Sequence, residues 1–235
     1  MDEFRRPRIV KTKDLKVPNA YTLALDGEFR EHAFNEERAL EYSGNWRSKV
    51  YHVASDVPLD LEIGTGNGVH FQHHALKFPQ RCLMGIELKY KPLIQTIRGA
   101  IRKGAKNACI MRLHAFNLDQ CFAASELNDI YIHFPDPWTT PRKPKNRLVN
   151  PRMLEIFWNL QRPGSQIEFK TDSREMFLWA MENIEASQYK IEAFTLNLHQ
   201  SEWQAQNVTT AFEKIFLRQG IEINFVRLRK PATGN

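Results

Sequence analysis

Leu59-Asp60-Leu61-Glu62-Ile63-Gly64-Thr65-Gly66-Asn67-Gly68 is the stretch whose reading decides how this chain folds. It predicts a buried strand running into a glycine turn and then a helix, because glycines at alternate positions let the backbone turn tightly and approach a ligand. The next segment fits. Phe71, Ala75 and Phe78 recur at helical spacing and Pro79 ends the run. A dinucleotide fingerprint, G-x-G-x-x-G, requires a third glycine where this chain has Val69. Glu62, two residues before Gly64, would also repel a diphosphate lying in the crevice at the strand end.

Outward from that stretch, strands and helices alternate. Cys82-Leu83-Met84-Gly85-Ile86 reads as a second strand ending at Glu87, where α/β nucleotide folds place a carboxylate on ribose hydroxyls. A helix follows, with Pro92 in its first turn, Leu93, Ile94, Ile97 and Ile101 as its apolar stripe, and Gly104 as its stop. Further strands are expected at 108–113, 129–134 and 166–170. Helices are expected from Asn150-Pro151 and over 174–186. Two closing strands, 191–198 and 221–228, would form an antiparallel pair. The whole predicts an α/β, Rossmann-like fold, a mostly parallel seven-stranded sheet with helices on both faces and its ligands at the strand C-terminal ends. Residues 51–235 would form this domain, and residues 1–50 an appendage with a basic arm and a helical piece over Glu28 to Tyr42.

A cationic ligand without phosphates suits Glu62 and Glu87 better than a dinucleotide does, and S-adenosylmethionine (SAM), with its sulfonium and amino group, is such a ligand. Pro135-Asp136-Pro137-Trp138 lies at the end of the fourth strand, where two prolines hold a loop rigid around one carboxylate. An ordinary proline turn opened by Asp is the competing reading. Thr171-Asp172-Ser173 reads equally as a site or as a helix cap, and Thr210-Ala211-Phe212-Glu213 has capping-box spacing. His70, His73 and His74 lack a third ligand motif and read as helix surface, so no metal is expected. Cys82, Cys109 and Cys121 read as reduced core thiols.

The formal net charge is +6, and it is clustered. Leu88 to Leu118 and Pro137 to Leu154 contain no acid and many Lys and Arg, and Arg5, Arg6, Arg8, Lys11, Lys13 and Lys16 form a basic arm. That pattern favours nucleic acid as partner. No apolar run approaches the roughly 20 residues of a membrane span, and the start lacks the apolar core of a signal peptide. A cytoplasmic protein with no membrane partner is expected.

Glu62-Ile63-Gly64-Thr65-Gly66-Asn67-Gly68, Gly85-Ile86-Glu87, Phe134-Pro135-Asp136-Pro137-Trp138, Lys170-Thr171-Asp172 and Thr210-Ala211-Phe212-Glu213 occur in that order. In order and spacing the chain, from about Leu59 to Leu228, resembles the bacterial tRNA (guanine-46-N7)-methyltransferases. The glycine loop is shared with many methyltransferases, whereas the Pro-Asp-Pro-Trp loop combined with the late Thr-x-Phe-Glu is specific. The resemblance implies a class I SAM-dependent methyltransferase fold, SAM as cofactor and tRNA as partner. It implies that Glu62, Gly64, Gly66, Glu87 and Asp136 contact SAM, Glu62 at the methionine end and Glu87 at the ribose, with Asp136 also the active-site acid. Asp172, Thr210, Ala211, Phe212 and Glu213 would hold the target nucleoside.

The chain departs from the family pattern twice. Where the family has an acid near the adenine, His114-Ala115-Phe116-Asn117 stands here, leaving His114 and Asn117 as alternatives. Where the family commonly has a substrate-binding lysine, this chain has Thr140, and Arg142, Lys143, Lys145 and Arg147 could supply the missing charge. Two rival functions share the pattern. One is a SAM-dependent methyltransferase acting on another RNA, a protein or a small molecule; the basic 137–154 segment argues against the small-molecule and protein substrates. The other is a non-catalytic RNA-binding module, against which intact Glu62, Glu87 and Asp136 argue. Monomer and homodimer are both compatible with the sequence.

Overall fold

The computed structural model describes residues 9–138 and 146–232. The chain divides into two compact units, one of residues up to Leu59 with Thr65–Ala123, the other of Asp60–Gly64 with Ala124 onward. In the first unit a short helix α1 (Ala20–Asp26) leads to strand β1 (Ala33–Phe34). After the glycine turn come α2 (Val69–Lys77), β3 (Cys82–Ile86), α3 (Tyr90–Arg102), β4 (Ala108–Met111) and one turn of helix, α4 (Leu118–Cys121). The strands are parallel, with β4 between β1 and β3. Leu25, Phe29, Ala33, Phe71, Leu83, Leu93, Ile94, Ile97 and Ile110 form one apolar cluster. Each Leu, Ile or Phe side chain among them contributes roughly 1.5–3 kcal/mol by leaving water. The expected stripe of α3 is therefore what seats residues 20–33 on the unit.

The second unit contains β2 (Leu59–Ile63), β5 (Ile130–His133), α5 (Pro151–Leu160), β6 (Gln166–Thr171), α6 (Arg174–Glu185), β7 (Lys190–Thr195), α7 (Ala211–Arg218) and β8 (Asn224–Arg229). Here β2, β5 and β6 are parallel, while β8 runs antiparallel between β6 and β7. Every residue of β2 is buried, as expected of a strand covered on both faces. The helix starts follow local chemistry: Asn150 and Ser173 accept from backbone N–H groups of α5 and α6, and Pro151 occupies the first turn of α5.

Three expectations need correction. Of the histidines read as helix surface, His70 and His74 are buried and only His73 is exposed. There are eight strands among the described residues rather than seven, the extra one being β1. It lies within the stretch expected to be helical, Glu28 to Tyr42. One continuous helix does not form there, because His32 O and Phe34 O accept from Ile110 N and Arg112 N and draw the backbone into an extended pairing with β4, and only Arg38–Tyr42 is helical, as a short 3₁₀ helix. Tertiary hydrogen bonds override local propensity there.

Among the described residues no helix is long and apolar enough to cross a membrane, and no group of three or more His, Cys, Asp or Glu could hold a metal ion. All three cysteines are buried and none is in a disulfide. Burial pushes the Cys109 and Cys121 thiols up to about 12, so neither is a nucleophile at neutral pH.

Candidate active site

In the first unit the glycine turn is tied to the acid that ends β3. Gly66 N donates to Glu87 Oε2 at 3.1 Å and Lys89 N to Oε1 at 2.9 Å, while Thr65 N reaches Ile86 O at 3.2 Å. The Glu87 carboxylate is thus oriented by backbone before any ligand arrives, and each oxygen keeps acceptor capacity. Glycine is required at two positions. A Cβ on Gly68, whose φ is +75°, would lie 2.7 Å from Thr96 Oγ1, and one on Gly85 would lie 2.7 Å from Thr65 Cγ2.

After β4, His114 Nδ1 accepts from Phe116 N at 3.3 Å, so that nitrogen caps the short helical turn 115–117. Burial lowers the pKa of His114 and keeps its ring neutral at pH 7. Asn117 Oδ1 and Thr65 Oγ1 are buried with no hydrogen-bond partner among the described residues. An orphaned buried acceptor costs about 1–3 kcal/mol, and a ligand bearing N–H donors would relieve it. Unpartnered buried polar atoms and an oriented carboxylate at the end of β3 are chemistry that the N–H and O–H donors of SAM can satisfy.

In the second unit register does the positioning. Ile63 lies beside Ile132 and His133 beside Lys170, so β2, β5 and β6 end at one edge. Glu62-Ile63-Gly64, Pro135-Asp136-Pro137 and Asp172 therefore leave their strands together. Glu62 is 3% exposed and Asp172 half-buried, whereas Asp136 is exposed. Asp172 takes no part in the cap of α6, which Ser173 and Thr171 supply. Phe134 and Trp138, flanking Pro135-Asp136-Pro137, both have left-handed backbone, φ +53° and +44°. Bulky residues there store about 1–3 kcal/mol each, which persists only where surroundings over-determine it.

Those surroundings are visible. Phe134 N donates to Lys170 O at 2.8 Å, and the Phe134 ring packs on Phe216 of α7 at 5.6 Å. At the other end Arg147 Nε donates to Pro137 O at 3.0 Å, its Nη2 reaches Glu175, and its guanidinium lies 5.1 Å from the Trp179 ring centre. Asp136 sits between two clamps.

A family model described as "Putative methyltransferase" matches residues 56–226. A tRNA (guanine-N(7)-)-methyltransferase of Bdellovibrio bacteriovorus is 57% identical over 208 residues, 88% of this chain and the whole of that protein. The chain belongs to the tRNA (guanine-N(7)-)-methyltransferase family. A Listeria monocytogenes serotype 4b protein of the same name is 31% identical over 78% of this chain and 84% of its own. Among solved structures, the 16S rRNA methyltransferase KamB superposes with TM-score 0.56 at 13% identity, over 84% of this chain and 95% of its own. A second, titled as an antibiotic related methyltransferase, gives 0.53 at 18% identity over 73% and 86%. At such identities these likenesses show the fold, a class I SAM-dependent methyltransferase α/β fold.

The remaining expected site residues of this methyltransferase are distributed as follows. Thr210 caps α7, with Thr210 Oγ1 accepting from Glu213 N and Glu213 Oε2 from Thr210 N, each at 3.2 Å. Ala211 is half-buried, Phe212 is 53% exposed and Glu213 is fully buried. Arg147 is buried and engaged with the loop, while Thr140, Arg142, Lys143 and Lys145 lie outside the described residues, as do Arg5, Arg6 and Arg8. Sequence reasoning gave Lys170 no role, yet its side chain is fully buried against Glu213 at 2.8 Å. Strand alternation puts Lys170 on the polar face with Gln166 and Glu168, so no sequence signal marked it as interior.

Proposed function

We propose that this protein transfers the methyl group of SAM to N7 of the guanosine at position 46, in the variable loop of tRNA. Family membership makes it a SAM-dependent tRNA (guanine-N7) methyltransferase. The nucleotide position and the residue roles are the finer reading. The observation that carries the residue roles is the clamped, exposed Asp136 emerging beside Gly64 and Asp172.

Glu87 holds the ribose and Glu62 the methionine amine, with the Gly64 and Gly66 backbone close to the cofactor. Asn117 meets the adenine: its Oδ1 is an unsatisfied buried acceptor, whereas His114 Nδ1 already serves Phe116 N. When bound, SAM supplies an electrophilic methyl group. Guanine N7 carries an in-plane lone pair, so no proton has to leave the nucleophile and Asp136 is not a general base. Its carboxylate accepts from the N–H edge of guanine and favours the positive charge that develops on the purine. Holding that acid still contributes through orientation, for which well-aligned systems gain on the order of 7 kcal/mol. Asp172 and the Thr210-Ala211-Phe212 start of α7 border the nucleoside, with Phe212 or Trp138 available for stacking.

Arg142, Lys143, Lys145 and the basic arm grip phosphates, offsetting the Thr140 substitution. Residues 1–50 are an appendage on a methyltransferase domain of residues 51–235, and the protein acts in the cytoplasm.

Incubation of the purified protein with methyl-labelled SAM and unmodified bulk tRNA, followed by base mapping, tests the reading. Label at N7 of guanosine 46 is the expected result; label on another base, or none, refutes it.

A further inference from the structure

Glu213, the last residue of the Thr210-Ala211-Phe212-Glu213 motif, has no acceptor capacity left for a nucleoside. Its Oε1 lies 2.7 Å from His199 Nε2 and accepts from Asn207 Nδ2 at 2.6 Å. Its Oε2 accepts from Lys170 Nζ at 2.8 Å and from Thr210 N at 3.2 Å. A carboxylate offers about four lone-pair directions, and all four are occupied. The Lys170 ammonium is equally committed, donating its three N–H bonds to Glu213, to Asn207 Oδ1 at 2.7 Å and to Val208 O at 3.0 Å. Both side chains are fully buried.

What this pair touches next is the loop that carries the acid. Lys170 Nζ sits 5.8 Å from the centre of the Phe134 ring, and Lys170 O receives the Phe134 N–H. Phe216, one turn along α7 from Glu213, closes on the same ring. Phe134 is thereby held on two sides in its left-handed conformation, two residues before Asp136. A buried ion pair in this place is poor value as stability alone, since apolar residues of similar volume often serve as well.

We propose that Glu213 is a positioning residue of the transfer reaction: through Lys170 and Phe134 it fixes the backbone that aims Asp136, and it makes no contact with the nucleoside. The proposal rests on Asp136 being the acid at the reacting purine. It predicts that loosening the anchor costs rate at saturating substrates and leaves tRNA affinity alone.

The test measures single-turnover methylation at saturating tRNA and SAM, together with tRNA dissociation constants, for the wild type, E213Q, F216L, the E213Q/F216L double variant and D136N. Glu213→Gln keeps shape and removes charge; Phe216→Leu removes the ring behind Phe134 without altering any charge. Expected are rate losses of about 10- to 100-fold for E213Q and less for F216L, with tRNA dissociation constants within about twofold of wild type. The double variant is expected to lose little more than E213Q, because both changes act through Phe134. Weaker tRNA binding with an intact rate in E213Q overturns the proposal, as do rate losses that multiply in the double variant. If E213Q loses its cooperative thermal transition, F216L decides alone, and an unchanged F216L rate overturns the proposal. An unchanged D136N rate refutes instead the role of Asp136, whereas a collapsed D136N rate with wild-type E213Q and F216L rates refutes only the anchor.

Discussion

Asp136 and Asn117 sit in opposite environments, one exposed and one with a buried, unpartnered oxygen. Asp136 is exposed on a loop braced at both ends, so its charge is open to solvent while its backbone is held. Asp136→Asn should leave SAM binding nearly unchanged by calorimetry while single-turnover methylation falls about 10²-fold or more, the scale of losing one preorganised electrostatic partner. Asn117 has a buried oxygen awaiting a donor. Asn117→Ala should weaken SAM binding about 3- to 10-fold, and a larger loss in His114→Ala would move the adenine contact to the histidine. The sequence leaves His114 and Asn117 as alternatives, and the unpartnered Asn117 Oδ1 beside an engaged His114 Nδ1 supports the asparagine.

At the scale of elements, the glycine turn and α7 are where local rules and tertiary demands coincide. Gly68 combines a left-handed φ with contact to Thr96 of α3, so Gly68→Ala should cost about 1–2 kcal/mol in denaturant titration even without a ligand. Helix α7 begins at a capping box that the spacing of Thr210 and Glu213 already announced. The same Glu213 carries a second load. Burial pushes its carboxyl pKa up, but the Lys170 charge and the hydrogen bonds from Lys170, Asn207 and Thr210 N outweigh burial and hold it below the usual carboxylate range. The unfolded chain therefore binds the proton at higher pH than the folded one, and stability rises with pH across that window. The contribution is complete above the unfolded value near 4.5 and is lost as pH falls through the lower folded value. An acid titration of thermal stability should show this loss in the wild type and a flatter profile in E213Q.

For the whole molecule the charge pattern sets the prediction. Raising salt should weaken tRNA binding steeply, with log K falling linearly in log salt by roughly 0.7–0.9 per phosphate contact, and a salt-independent affinity would remove the basic surface from the account. The order of strands and helices, the buried β2, the caps of α5 and α7 and the acids at strand ends were all legible, because each follows from short-range periodicity or spacing. The interruption of the helix expected over Glu28 to Tyr42 was not, since β4 supplies partners for Ala33 and Phe34 that lie some 75 residues away in the chain. Nor was the work of Arg147 and Lys170. A sequence presents both as surface cations, and only packing shows Arg147 closed on Pro137 O and Lys170 sealed against Glu213. What the sequence determined by itself was the chemistry available and the edge at which it collects, because periodicity and spacing are properties of neighbours along the chain. What the tertiary structure alone decided was which charges stay open at that edge and which are buried holding the loop, because burial and pairing depend on residues distant in sequence.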